Sequence, residues 1–145
     1  IGMGKTIMKP GELLTGVYVP VLQPDARTAF DKIGRRKALA IARINGACVL
    51  RMREGIIQEA RLCIGAVMNQ PRRCTAAETL LQGYRPDDEL FRQAGEKARQ
   101  MILQYTGMRS SSAYKLPVVV DFTQNLLKKA CSKGDGQGAA ALYSE

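Results

Sequence analysis

The chain has 145 residues, 46% hydrophobic and 24% charged, with 22 Lys and Arg against 13 Asp and Glu for a net charge of +9. That length allows one domain with a real hydrophobic core, and the composition is that of an ordinary soluble globular chain. Histidine is absent, which removes the commonest general base and the Ser-His and Cys-His nucleophile systems.

Residues 5–9 and 12–19 read as two short strands around a Pro10-Gly11 turn. Leu13, Leu14, Val17 and Val19 suit a partly buried sheet, and Pro20 ends the second run. A third strand is expected over 28–33. Residues 43–52 and 56–67 then form a hairpin through Arg53-Glu54-Gly55, a three-residue connection in which Gly supplies positive φ. Gly46 and Gly65 mark a bulge or a close backbone approach. Neither face of the first hairpin strand is cleanly polar, which predicts a sheet covered on much of both sides.

After Pro71 the pattern turns helical. Thr75-x-x-Glu78 has the form of a capping box for a short helix through Leu80 and Leu81, with Gly83 as its stop. Asp87 and Asp88 open a longer helix with Leu90, Ala94, Ala98 and Met101 on one stripe, ending before Gly107. Ser110, Ser111 and Ser112 are candidate caps for a last helix with Phe122, Leu126 and Ala130 inward, in which Pro117 is tolerated only near the start. The Gly- and Ala-rich residues 134–145 read as a disordered tail. Strands followed by helices give an α+β class, with helices packed on an antiparallel sheet.

Few motifs carry chemistry. Gly4-Lys5-Thr6 runs into Ile7-Met8-Lys9-Pro10 rather than into a helix, so a phosphate-loop reading fails. The four cysteines, Cys48, Cys63, Cys74 and Cys131, form no C-x-x-C pair. They read as reduced core thiols of a cytoplasmic protein, with no metal site and no catalytic residue expected. No run approaches the roughly 18–20 apolar residues of a membrane span. The chain neither opens on Met nor starts like a signal peptide, which fits a fragment or a processed product. Phe30-Asp31-Lys32-Ile33-Gly34-Arg35-Arg36-Lys37 is the densest basic cluster. It is either a solvated strand end or a recognition surface. Alternation places Phe30 and Lys32 on one side, an aromatic beside a cation, which suits a flat cofactor with polar edges. Arg35 and Arg36 suit a phosphate or a partner carboxylate. Arg72-Arg73 and Lys128-Lys129 extend the basic surface. The charge alone leaves an alternative: a basic α+β binding module for nucleic acid or an acidic protein partner. The scarcity of aromatic residues weakens the nucleic-acid version.

Taken in order, these motifs resemble one family. Pro10-Gly11-Glu12-Leu13-Leu14 and Val19-Pro20 are similar to the end of the FAD-binding domain in flavoprotein (medium) subunits of xanthine and carbon monoxide dehydrogenases. Phe30-x-Lys32-x-x-Arg35-Arg36, residues 60–67, Pro71-x-Arg73, the helix with Ala76, Glu78, Leu81 and Gly83, Ser112-x-Tyr114-Lys115 and Leu127-Lys128-Lys129-Ala130 resemble the C-terminal domain of those subunits. The resemblance covers about residues 5–132. It divides the chain into 1–24, the end of the FAD-binding domain; 25–133, the C-terminal domain; and 134–145, the tail.

The resemblance implies a C-terminal fragment of the FAD subunit of a molybdenum hydroxylase, inactive alone. It would help to enclose FAD held mainly by an N-terminal domain with Gly-rich diphosphate loops. The partners implied are an iron–sulfur subunit with two [2Fe–2S] clusters, a molybdenum-cofactor subunit, and NAD or another electron acceptor, in the cytoplasm and with a homo-oligomer open. By position, Leu14 resembles a leucine that packs near the isoalloxazine ring. Lys32 resembles a lysine that approaches the flavin, although some relatives carry it one place earlier, where Asp31 stands here. A cation there would favour reduced, anionic flavin and raise its potential.

Overall fold

The structure, a computed structural model, describes residues 5–36, 40–108, 110 and 112–132. Its elements are the strands β1 (Ala26–Gly34), β2 (Ala42–Arg53), β3 (Ile56–Gly65) and β4 (Arg72–Arg73), then the helices α1 (Thr75–Leu81), α2 (Asp88–Thr106) and α3 (Ser112–Ser132). All strand pairs are antiparallel, in the order β1-β2-β3-β4. The α+β expectation holds, and the proposed tail lies outside the described residues.

Alternation along the strands sorts the core. Ile44, Gly46, Cys48 and Leu50 of β2, Ala60, Leu62 and Ile64 of β3, and Ala29 of β1 all face one way and are buried. A bulge between Arg51 and Met52 makes Gln58 the extra residue and keeps Ile57, paired with Met52, on the same face. The helices cover that face. α3 lies on β1 and β2, α1 against β3, and α2 on α1 and α3. The opposite face, with Phe30, Lys32, Ala47, Val49 and Cys63, is exposed or half-buried. The sheet is therefore covered on one side, not both. Small apolar residues on the open side mimic burial in the sequence.

Gly46 permits a close helix–sheet approach. A Cβ there would stand 2.8 Å from Phe122 Cε1 and 3.1 Å from Leu126 Cδ2. The hairpin loop is shorter than expected. Arg53 pairs with Ile56, leaving only Glu54 (φ 54°) and Gly55 (φ 75°), both left-handed. Such a two-residue turn matches the twist of its strands.

Three sequence expectations need correction. Pro10-Gly11 does turn, with Glu12 N–H donating to Lys9 O at 3.1 Å, but no strand forms within residues 5–23. Leu13, Leu14, Val17, Tyr18, Val19 and Val21 are each 69% or more exposed. A β-compatible run becomes a strand only where another backbone takes its hydrogen bonds, and among the described residues none does. Thr75 is the first residue of α1 rather than its cap, and Cys74 at the cap position makes no side-chain bond. Pro117 is the sixth residue of α3, inside the helix, where its ring leaves the Ala113 carbonyl without the usual partner. Helix α2 matches its reading. Asp87 Oδ1 accepts from Leu90 N–H at 2.7 Å, and Gly107 (φ 63°) donates to Leu103 O at 2.8 Å. Phe122, Leu126 and Ala130 of α3 are buried as expected.

Glu78 turns away from the cap and into the fold. Its carboxylate accepts Leu62 N–H at 2.8 Å and a two-pronged contact from Arg73, at 2.9 Å from Nε and 2.7 Å from Nη2, while the residue is only 5% exposed. Other backbone groups on the outer edge of β3 are also occupied. Cys74 N–H donates to Leu62 O, Ile57 N–H to Tyr84 O, and Gly83 N–H to Ile57 O. Two predictions follow from these contacts. Glu78→Ala leaves a buried amide and a guanidinium unpaired, and urea unfolding should show a loss of about 2–3 kcal/mol. Gly46→Ala should cost about 1–3 kcal/mol by overpacking against Phe122, read the same way.

Candidate functional site

The open face of β1 carries the sequence-predicted site. Phe30 pairs with Ala47 and Lys32 with Asn45, both on the side away from the helices. Phe30 is 59% exposed, so the aromatic and the cation do share a solvent-facing surface. Asp31, between them, points the other way. Its Oδ2 accepts from Lys129 Nζ of α3 at 3.0 Å, and its Oδ1 accepts Lys32 N–H at 2.8 Å. Lys129 Nζ also donates to Phe30 O at 3.2 Å. The register thus separates the two positions that the sequence left open: residue 32 faces outward and residue 31 faces α3. The Lys32 ammonium reaches Ala40 O at 3.4 Å.

Beyond Lys32, the residues Arg35, Arg36, Ala40, Ile41, Ala42 and Arg43 line an open groove of about 560 Å³. Arg43 was read from sequence only as the start of a strand. A bulge after Ile33 makes it the extra residue opposite Gly34, and that irregularity is not visible in composition. Leu14 is not brought into the site. It stands 69% exposed in the extended segment before β1.

The remaining expected basic surface is largely consumed within the domain. Arg73 binds Glu78, Lys128 pairs with Asp88 at 2.8 Å, and Lys129 pairs with Asp31. Arg72 lies over the Tyr105 ring at 4.2 Å. None of the four cysteines is in a disulfide, and burial is the main cause that raises the pKa of Cys63, Cys74 and Cys131. Those three are thiols rather than nucleophilic thiolates at neutral pH. Among the described residues no three of His, Cys, Asp and Glu group as metal ligands, and no helix is long and apolar enough to cross a membrane. Lys5 and Thr6 belong to no helix or strand and no helix follows them directly; Gly4 lies outside the described residues.

Residues 29–130 match the family described as the CO dehydrogenase flavoprotein C-terminal domain. The chain belongs to this family. It is 29% identical over 120 residues to the glyceraldehyde dehydrogenase medium chain of Sulfolobus acidocaldarius, covering 82% of this chain and 42% of that one. The chain therefore spans well under half of that relative's length. Among solved structures, a reconstituted CO dehydrogenase from Oligotropha carboxidovorans superposes with a TM-score of 0.81 at 23% identity, over 92% of this chain and 46% of that one. A CO dehydrogenase from Hydrogenophaga pseudoflava gives 0.79 at 22%, over 90% and 45%. Quinoline 2-oxidoreductase from Pseudomonas putida 86 gives 0.63 at 26%, over 74% and 37%. The flavoprotein C-terminal fold expected from the motifs is the one observed. The family match begins at Ala29 in β1 and ends at Ala130 in α3, so it excludes the exposed segment that carries Leu14.

The bond from Lys129 is the main cause that holds the Asp31 carboxyl below its ordinary pKa of 3.8. A depressed carboxyl pKa adds stability that is present above the unfolded value and lost as pH falls through the folded one. Both side chains are about half exposed, so the contribution is small. A carboxyl NMR titration should place the Asp31 midpoint below 3.8, and Lys129→Met should move it upward.

Proposed function

We propose that this domain is the C-terminal part of the flavin-carrying chain of a molybdenum hydroxylase of the xanthine and carbon monoxide dehydrogenase type, and that its open sheet face closes over the flavin. The observation that carries this reading is the pair Phe30 and Lys32, side by side and solvent-facing in a domain of this flavoprotein family. An isoalloxazine ring is flat, apolar on its faces and edged with carbonyl oxygens. An exposed phenyl ring and an ammonium match that chemistry. The diphosphate of FAD asks for consecutive backbone N–H groups at a Gly-rich loop, and the described residues offer no such loop. This chain therefore fits the ring and not the diphosphate, which an N-terminal FAD-binding region would hold.

FAD, when bound, supplies the capacity to take electrons from iron–sulfur clusters and give them to an acceptor. The residues here set its surroundings. Lys32 places positive charge at the ring edge, Phe30 shields it from water, and Leu14 packs near it once residues 1–24 join the FAD-binding domain to which we assign them. Residues 25–133 form the lid, and 134–145 a tail. The iron–sulfur and molybdenum-cofactor subunits are the partners, with NAD or another compound as acceptor, in the cytoplasm. The chain alone holds no complete active site. The competing reading, a basic module for nucleic acid or an acidic protein, draws on the net charge of +9. Ion pairs to Asp25, Glu59, Glu78, Glu89, Glu96, Asp88 and Asp31 tie Arg51, Arg61, Arg73, Arg92, Arg99, Lys128 and Lys129 to neighbours in the same chain and leave that net charge unchanged.

In the FAD-loaded flavoprotein that contains this domain, Lys32→Ala should lower the flavin midpoint potential by about 30 mV, the two-electron equivalent of about 1.4 kcal/mol. An unchanged potential would remove Lys32 from the flavin site. Salt-sensitive binding of nucleic acid by the same protein would favour the competing reading.

A further inference from the structure

We propose that Lys129, on α3, is a positioning residue for the flavin-facing strand and acts through Asp31 to orient Lys32. The inference rests on the reading above, in which Lys32 meets the flavin. It starts from how poorly Lys32 is otherwise held. Among the described residues β1 is an edge strand, paired with β2 on one side only. Its register slips immediately after Ile33, so the ladder does not continue regularly past the site. The ammonium of Lys32 has a long bond, 3.4 Å to Ala40 O, which restrains it weakly.

The firm restraints come from below. Asp31 Oδ1 accepts the Lys32 N–H at 2.8 Å, while Oδ2 accepts Lys129 Nζ at 3.0 Å. The same ammonium takes Phe30 O at 3.2 Å. One lysine on a helix thus holds Phe30 by its backbone carbonyl, Asp31 by its carboxylate, and the Lys32 amide through that same carboxylate. The seam beside this grip is not closely filled. Asp31, Ile33, Val118, Asp121, Phe122 and Asn125 line a depression of about 230 Å³ between β1 and α3. The ionic bridge ties β1 to α3 beside that depression. A half-exposed pair of this kind adds little to global stability, so its consequence is geometric: it sets the height and direction from which Lys32 leaves the sheet.

The test is a double-mutant cycle on the FAD-loaded flavoprotein, read as flavin midpoint potential together with Tm. Lys129→Met should shift the potential toward the Lys32→Ala value with little change in Tm, and Lys129→Arg should restore it. In the Lys32→Ala background, Lys129→Met should add nothing. If Lys32→Ala shifts the potential and Lys129→Met does not, the positioning role is overturned and the Lys32 reading stands. If Lys129→Met lowers the potential equally in both backgrounds, its charge acts directly on the flavin and the proposal is overturned. If Lys32→Ala has no effect, the reading of Lys32 falls, and the positioning role with it.

Discussion

The arrangement depends on one buried carboxylate. Glu78 leaves α1, accepts an amide of β3 and holds the guanidinium at β4, so a single side chain joins three elements. A carboxylate this deep is tolerated because both of its oxygens accept from the Arg73 guanidinium and one also accepts the Leu62 amide. The contact fixes where the first helix sits, and the first helix determines the rest. α2 rests on α1, and α3 fills the space left between α2 and the first two strands. Three helices on one side follow from that start, and so does a bare sheet on the other.

Function, in this view, comes from the side left bare. Strand alternation gives the inward positions to Ile44, Leu50, Leu62 and Ile64 and the outward ones to Phe30, Lys32, Ala47 and Val49. The inward set makes the domain fold. The outward set is mixed, with small apolar residues, an aromatic and cations, which suits contact with something that is neither water nor a second core. Lys129 links the two sides, since its stem belongs to the helix layer and its ammonium ends on the backbone of the outward-facing strand.

Much of this was legible in sequence wherever the signal was local. The Asp87 cap, the left-handed Gly107 and the Glu54-Gly55 hairpin need only neighbouring residues, and each appears close to where it was expected. Order and spacing of weak motifs also sufficed to reach the family. What failed was non-local. Thr75-x-x-Glu78 has the pattern of a capping box, yet the carboxylate finds stronger partners in a strand distant in sequence. Residues 12–19 have strand chemistry but, among the described residues, no ladder to join. Ala47 and Val49 look like core residues and face outward. Leu14 was named by likeness alone, and nothing in the described fold brings it to Lys32.

The two margins of the sheet are unequal. On the β3 side, Glu78, Cys74, Gly83, Tyr84 and β4 occupy the backbone groups; on the β1 side, among the described residues, no further strand does. A sheet blocked at one rim can be extended only from the other. Should two copies meet through that rim, each would present its blocked edge outward and growth would stop at a pair. The asymmetry therefore limits edge-to-edge growth of this sheet to a pair.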